Sequence, residues 1–250
     1  MTIQSKQDMI ALKEIGRIVA HTLQVMLDAL EEGMTTLELD QIGRKILASY
    51  AARPAPELVY GFPGATCISI NEQVAHAIPG KRKIRQGDLV NIDVSAELNG
   101  YFADTGASVP FGPVTPVAKR LCDATQEALQ QCLKVAKAGN TMADLQKAIN
   151  RVAERNRFSV IQNLAGHGIG HHLHEERRHV PDNSREKDRR RLQKGMVVTL
   201  EPFLSTGPRQ AKEMADGWTL VTPAGHFTAQ YEHTIVVTDT EPIILTAYSA

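Results

Sequence analysis

Two spacings of apolar residues alternate along this chain. Met9, Leu12, Ile15, Val19, Met26 and Ala29 recur close to every three or four positions, which predicts a helix over residues 5–32. Gly33 is expected to stop it, and Thr35 to start the next, with Glu38 three residues on as its capping partner. That second helix continues through Leu39, Ile42, Ile46 and Leu47. The same order returns later. A helix from about Pro116 to Lys137 ends near Gly139, and Thr141 with Asp144 opens another through Leu145, Ile149 and Val152.

Strands repeat with the helices. Gly87-Asp-Leu-Val-Asn-Ile-Asp93 and Gly195-Met-Val-Val-Thr-Leu-Glu201 each read glycine, apolar strand, carboxylate. Asp104-Thr105 has a looser counterpart in Glu232-His-Thr234. One domain over 1–250 follows, built from two α/β halves of approximately 1–112 and 113–250. A pseudo-twofold axis is expected to relate them, with the acids meeting between them. Two copies are too few for a solenoid.

Val90, Ile92 and Val94 alternate with Asn91, Asp93 and Ser95, the period of a strand. Asn99-Gly100 is a strong two-residue hairpin signal. Such a turn sets Leu98 against Tyr101, Ala96 against Ala103 and Ser95 against Asp104. Asp93 and Asp104 then become diagonal neighbours on one face, roughly 7–8 Å apart at the backbone. Carboxylates gathered away from water repel one another, and a cation resolves this. His167 lies in a glycine-rich stretch, Gly166-His-Gly-Ile-Gly170, that permits close backbone approach. Asp93, Asp104, His167, Glu201 and Glu232 are thus the candidate ligands, a donor set suited to hard or borderline divalent ions.

Composition narrows the picture. The 28 basic and 28 acidic residues cancel, which argues against nucleic-acid binding as the main task. The three cysteines, Cys67, Cys122 and Cys132, are too scattered for a disulfide framework and read as reduced thiols of a cytoplasmic protein. There is no apolar signal core, and no stretch has the ~18 apolar residues of a membrane span. The glycines after Ala165 lack dinucleotide-loop spacing, and His174 and His179 stand five apart, not at zincin spacing. Residues 177–194 carry eight Lys/Arg against three Asp/Glu, which reads as a solvated loop or as a contact with ribosomal RNA.

Taken together, Ser69-Ile-Asn-Glu-Gln-Val-Ala-His76-Ala-Ile-Pro-Gly80, the two strand motifs, Gly166–Gly170, His174-Glu-Glu176 and Ala229-Gln-Tyr-Glu-His-Thr-Ile-Val-Val237 resemble the methionine aminopeptidases of the short bacterial type I. The resemblance implies the pita-bread fold, an α/β (α+β) arrangement of two halves around a central antiparallel sheet. It implies two divalent ions, Co, Mn, Fe or Zn, that activate water against the first peptide bond. Asp93 would chelate one ion, Asp104 and Glu232 would bridge both, and His167 and Glu201 would complete the second. Glu201 would also relay a proton, while His76 and His174 would contact the substrate's amide and carbonyl. Val59, Phe62, Cys67, Leu173 and Trp218 would form the methionine pocket. The implied substrate is the amino terminus of a nascent peptide with a small second residue, and the implied protein is a monomer. A peptidase of the same fold acting on Xaa-Pro bonds is a second reading, disfavoured because no separate N-terminal domain is expected. A metal-free peptide- or RNA-binding relative is a third, disfavoured by the five intact ligands. The stretch after Glu176, Arg-Arg-His-Val-Pro, departs from the family pattern, as do the non-aromatic Val59 and Leu173.

Overall fold

A computed structural model describes residues 1–175, 180–181 and 188–248. Its first half runs α1 (Lys6–Asp28), α2 (Thr36–Ser49), β1 (Arg53–Pro54), α3 (Ala55–Tyr60), β2 (Cys67–Ile70), β3 (Gln73–Ala75), β4 (Leu89–Leu98) and β5 (Tyr101–Pro110). The second runs α4 (Pro116–Val135), α5 (Met142–Asn156), β6 (Ser159–Val160), β7 (Val197–Leu200), β8 (Phe203–Ser205), β9 (Lys212–Glu213), β10 (Leu220–Val221), β11 (Thr228–Val236) and β12 (Ile243–Ile244).

The helix starts follow the capping rule. Ser5, Thr35 and Thr141 each accept from the backbone N–H three residues on, and Asp8, Glu38 and Asp144 reach back to the cap. One boundary differs from expectation. α1 ends at Asp28 rather than at Gly33, and residues 29–34 form turns. Gly33 stays in the left-handed region at φ 84°, where its N–H donates to Ile84 O across the chain. It shapes the link between two helices instead of capping the first.

Asn99 and Gly100 take φ of 52° and 84°, the two positive values that a tight hairpin turn requires. The register is the expected one, with Leu98 opposite Tyr101, Ala96 opposite Ala103 and Ser95 opposite Asp104. β4 and β5 form the centre of a largely antiparallel sheet ordered β1-β4-β5-β11-β8-β6, with β2 also on β4, and β7 and β12 also on β11.

The halves meet where β5 pairs with β11, Thr105 facing His233 and Gly106 facing Glu232. Two threonines close this seam reciprocally. Thr234 Oγ1 donates to the Asp104 carbonyl at 2.7 Å, and Thr105 Oγ1 to the Glu232 carbonyl at 2.9 Å.

Each half buries its own core. Val90, Ile92, Val94 and Ala96 of β4 pack with Ile15, Val19 and Met26 of α1. Ala229 and Ile235 of β11 pack with Leu121, Leu129 and Leu145 of α4 and α5. Because strand side chains alternate, Asp93, Asp104 and Glu232 fall on the sheet face turned away from those helices.

Candidate metal centre

The acid-bearing face forms the floor of a cavity of about 590 Å³. Asp93 comes from β4, Asp104 from β5 and Glu232 from β11, while Glu201 follows the end of β7. Asp104 and Glu232 retain 7% and 2% of their exposure, so this is not a solvated face. Among the described residues, no lysine or arginine lines the cavity.

His167 is placed by backbone proximity. Its N–H donates to Thr199 Oγ1 at 2.9 Å, and Thr199 N–H donates to its carbonyl at 2.8 Å. A Cβ on Gly166 would sit 2.2 Å from the Thr199 carbonyl oxygen, so a side chain there would force the strand and the loop apart. The His167 ring donates from Nδ1 to the Gly168 carbonyl at 3.1 Å, which turns Nε2 toward the acids. That nitrogen stands 3.8 Å from Asp104 Oδ2 and 3.7 Å from Glu201 Oε1. One ligand atom each from Asp104, His167 and Glu232 lies within 4.8 Å of the other two.

The electrostatics of this group are unfavourable without a cation. Burial, then the charges of Asp104 and Glu201, pushes Asp93 well above the usual carboxylate range. Burial, then Asp104, Glu201 and Asp93, does the same to Glu232. Burial also pushes Glu201 up to about 8, against the opposing influence of His167. For His167 burial works to lower the pKa, but the hydrogen bond and charge of Asp104, together with Glu201, outweigh it and leave the group raised. Asp104 Oδ1 and Glu232 Oε1 are buried without a hydrogen-bond partner. Two orphaned carboxylate oxygens beside an imidazole nitrogen fit a divalent cation, since a buried acceptor left unpaired is otherwise costly.

Further polar groups aim the acids. Gln230 Nε2 donates to Glu232 Oε2 at 2.8 Å, and Asn91 Nδ2 donates to Gln230 Oε1 at 2.8 Å. Thr199 Oγ1 donates to Glu201 Oε1 at 3.1 Å. Sequence reasoning missed all three. Gln230 and Thr199 stand two residues before an acid on the same strand face, a spacing that could have drawn attention to them.

Most of the remaining candidates also line the cavity. His76 holds a positive φ of 54°, uncommon for a residue with a side chain and typical of positions under functional constraint. Its ring is open to the cavity mouth, yet the surrounding protein mass desolvates it and lowers its pKa. His174 packs over His167 with ring centroids 4.0 Å apart. Phe62 and Trp218 meet edge to face at 5.2 Å, and Cys67 and Leu173 line the same cavity. Burial, then Asp93 and Asp104, keeps the Cys67 thiol well above its ordinary pKa and therefore protonated. Val59 departs from expectation. It is 42% exposed and absent from the cavity wall, where its neighbour Tyr60 stands instead. Half of the basic stretch 177–194, residues 177–179 and 182–187, lies outside the described residues. Within it, Arg190 pairs with Asp188, and Lys194 with Asp239.

A buried acid cluster with one imidazole, set at the seam of two α/β halves, is the kind of centre found in metal-dependent hydrolases. The model of metallopeptidase family M24 matches residues 11–239, and the chain belongs to that family. Methionine aminopeptidase 2 of Bacillus subtilis is 44% identical over 247 residues, covering 98% of this chain and 99% of that one. The crystal structure of methionine aminopeptidase from Rickettsia prowazekii superposes with a TM-score of 0.92 at 34% identity, over 99% of this chain and all of its own. Prolidase from Pyrococcus furiosus shares the fold at a TM-score of 0.78 and 21% identity, with 66% of its length covered. The pita-bread arrangement expected from the sequence is therefore the fold of this chain.

Proposed function

We propose that this chain is a methionine aminopeptidase that removes the first residue from peptides whose second residue is small. Full-length similarity to methionine aminopeptidases supports this reading. The observation that carries it is the pair of orphaned carboxylate oxygens, Asp104 Oδ1 and Glu232 Oε1, inside a cavity with an apolar wall.

Asp93, Asp104, His167, Glu201 and Glu232 would hold two divalent ions, drawn from Co, Mn, Fe and Zn. Bound there, such ions would polarise a carbonyl and bring the pKa of water down toward about 7. The protein does the rest. Glu201 can accept a proton at its carboxylate and return it to the departing amine. His76 and His174 hydrogen-bond the substrate's amide and carbonyl. Phe62, Cys67, Leu173 and Trp218 enclose the methionine side chain, the protonated thiol providing a soft contact for a thioether. The same reading sets the enzyme to work as a cytoplasmic monomer, with the basic stretch 177–194 as a solvated loop or a candidate contact for ribosomal RNA.

The test is methionine release from Met-Ala-Ser by chelated protein supplied with each metal in turn, with Xaa-Pro peptides as controls. Release from Met-Ala-Ser alone is expected. No release with any metal would sink the proposal, and cleavage of the Xaa-Pro peptides instead would point to the prolidase branch.

A second expectation concerns Gln230. A Cβ at Gly106 would lie 2.4 Å from Gln230 Oε1, so Gly106→Ala should push that amide off Glu232. Metal affinity and activity should fall roughly 10- to 100-fold, as they do when an outer partner of a metal ligand is lost. Unchanged metal affinity in a calorimetric titration would refute the positioning role of Gln230.

A further inference from the structure

Tyr60 lines the cavity, and none of the roles above employs it. It ends the short helix α3, just before Gly61 turns the chain with φ 69°. Its ring is half exposed at the mouth, 5.7 Å from that of His174, and its hydroxyl lies 2.6 Å from His174 Nδ1. A phenol is the stronger acid of the two partners, and an imidazole nitrogen the better acceptor. The favoured direction is therefore O–H donating to nitrogen. A neutral imidazole that accepts at Nδ1 must carry its proton on Nε2.

We propose that Tyr60 is a positioning residue, whose hydroxyl donates to Nδ1 of His174 and so fixes the ring in the Nε2–H tautomer that can donate to the substrate's carbonyl oxygen. The opposite tautomer would turn a lone pair toward that oxygen and repel it as negative charge develops. Tyr60 thus acts through His174 and touches no reacting atom. The contact also restrains the ring against rotation, because His174 is hydrogen-bonded by Tyr60 and packed against His167 at 4.0 Å. This assignment rests on the aminopeptidase reading, from which His174 takes its role.

Tyr60→Phe keeps the ring and removes the hydroxyl. Because the side chain is half exposed, the variant should fold and melt like the parent. Its kcat on Met-Ala-Ser should fall roughly 10- to 100-fold, the scale of losing an orienting partner, with KM changed by less than about threefold. In a His174→Ala background the same substitution should add less than about twofold, since there is no ring left to orient.

A readout independent of catalysis is the 15N spectrum of the metal-free, histidine-labelled protein. The parent should show His174 with a pyridine-like Nδ1 and a pyrrole-like Nε2, and Tyr60→Phe should shift both toward a tautomer average. A protonated Nδ1 in the parent would overturn the proposal. So would parental kcat in Tyr60→Phe, or equal losses in the presence and absence of His174. If the parent releases no methionine, the aminopeptidase reading fails, while the spectrum still decides whether Tyr60 sets the tautomer.

Discussion

Glu232→Gln is expected to lower methionine release by about 10³-fold or more and, at the same time, to make the metal-free protein harder to unfold. The two effects share one cause. Glu232 is 2% exposed, and its Oε1 has no partner. In the proposed metal-bound state that oxygen would be a ligand, and losing an anionic ligand would remove several kcal/mol of charge stabilisation at the reacting centre. Without a cation, the same carboxyl is a buried acid crowded by Asp104, Glu201 and Asp93. A glutamine could still accept from Gln230 Nε2 through its oxygen, while its amide N–H could donate to the orphaned Asp104 Oδ1. Exchanging an unsatisfied acid for a paired amide should stabilise the chelated protein by about 1–3 kcal/mol. Methionine release and thermal unfolding of chelated samples check both arms. A variant that keeps its activity, or one that melts below the chelated parent, contradicts the assignment.

Metal-free protein should lose stability as pH rises, and bound metal should reverse the trend. Asp93 and Glu232 sit well above their ordinary range, and Glu201 is raised from 4.5 to about 8. Between the ordinary carboxyl range and those raised values, the folded chain holds protons that the unfolded chain has released. Stability then falls with pH. The contribution is complete below the unfolded pKa values and is lost as pH climbs through the folded ones, for Glu201 across roughly 4.5 to 8. His167, also raised, acts in the same sense. The total should be on the order of a few kcal/mol, since a tenfold difference in proton affinity is worth about 1.4 kcal/mol. A divalent ion at 100 times its Kd adds about 2.7 kcal/mol and favours the deprotonated acids, so its benefit should grow with pH. Calorimetric melts of chelated and metal-loaded protein at pH 6 and pH 8 separate the two curves. If both move in parallel, the buried acids do not titrate as described.

How much of the fold and site was legible in the sequence depended on how local each determinant is. The Asn99-Gly100 turn fixes the β4–β5 register from two residues, so the diagonal relation of Asp93 and Asp104 followed from sequence alone. The capping boxes at Thr35 and Thr141 were likewise local. Helix length was less legible. Apolar spacing continues past Asp28, but tertiary pairing of Gly33 with Ile84 draws the chain away earlier. The resemblance put Val59 in the pocket, yet Tyr60 is the side chain that reaches it, because the pitch of a six-residue helix decides which neighbour points inward. The spacing of Gln230 and Asn91 two residues before an acid marks them as neighbours of the site, but the bond between them stayed hidden for another reason. Their bond joins residues 139 apart in sequence, and no spacing rule reaches that far.

The seam closed by Thr105 and Thr234 also bears on when this protein can first be active. Its two hydroxyl bonds join positions 127 and 130 residues apart. Closing so long a segment is entropically slow compared with forming the β4–β5 hairpin. During synthesis, Asp93 and Asp104 can be paired early, while Glu232 waits for β11 to emerge and dock. The half-built chain thus carries two acids and no complete centre, and hydrolytic power arrives in one late step, when the strand that supplies Glu232 also supplies the seam.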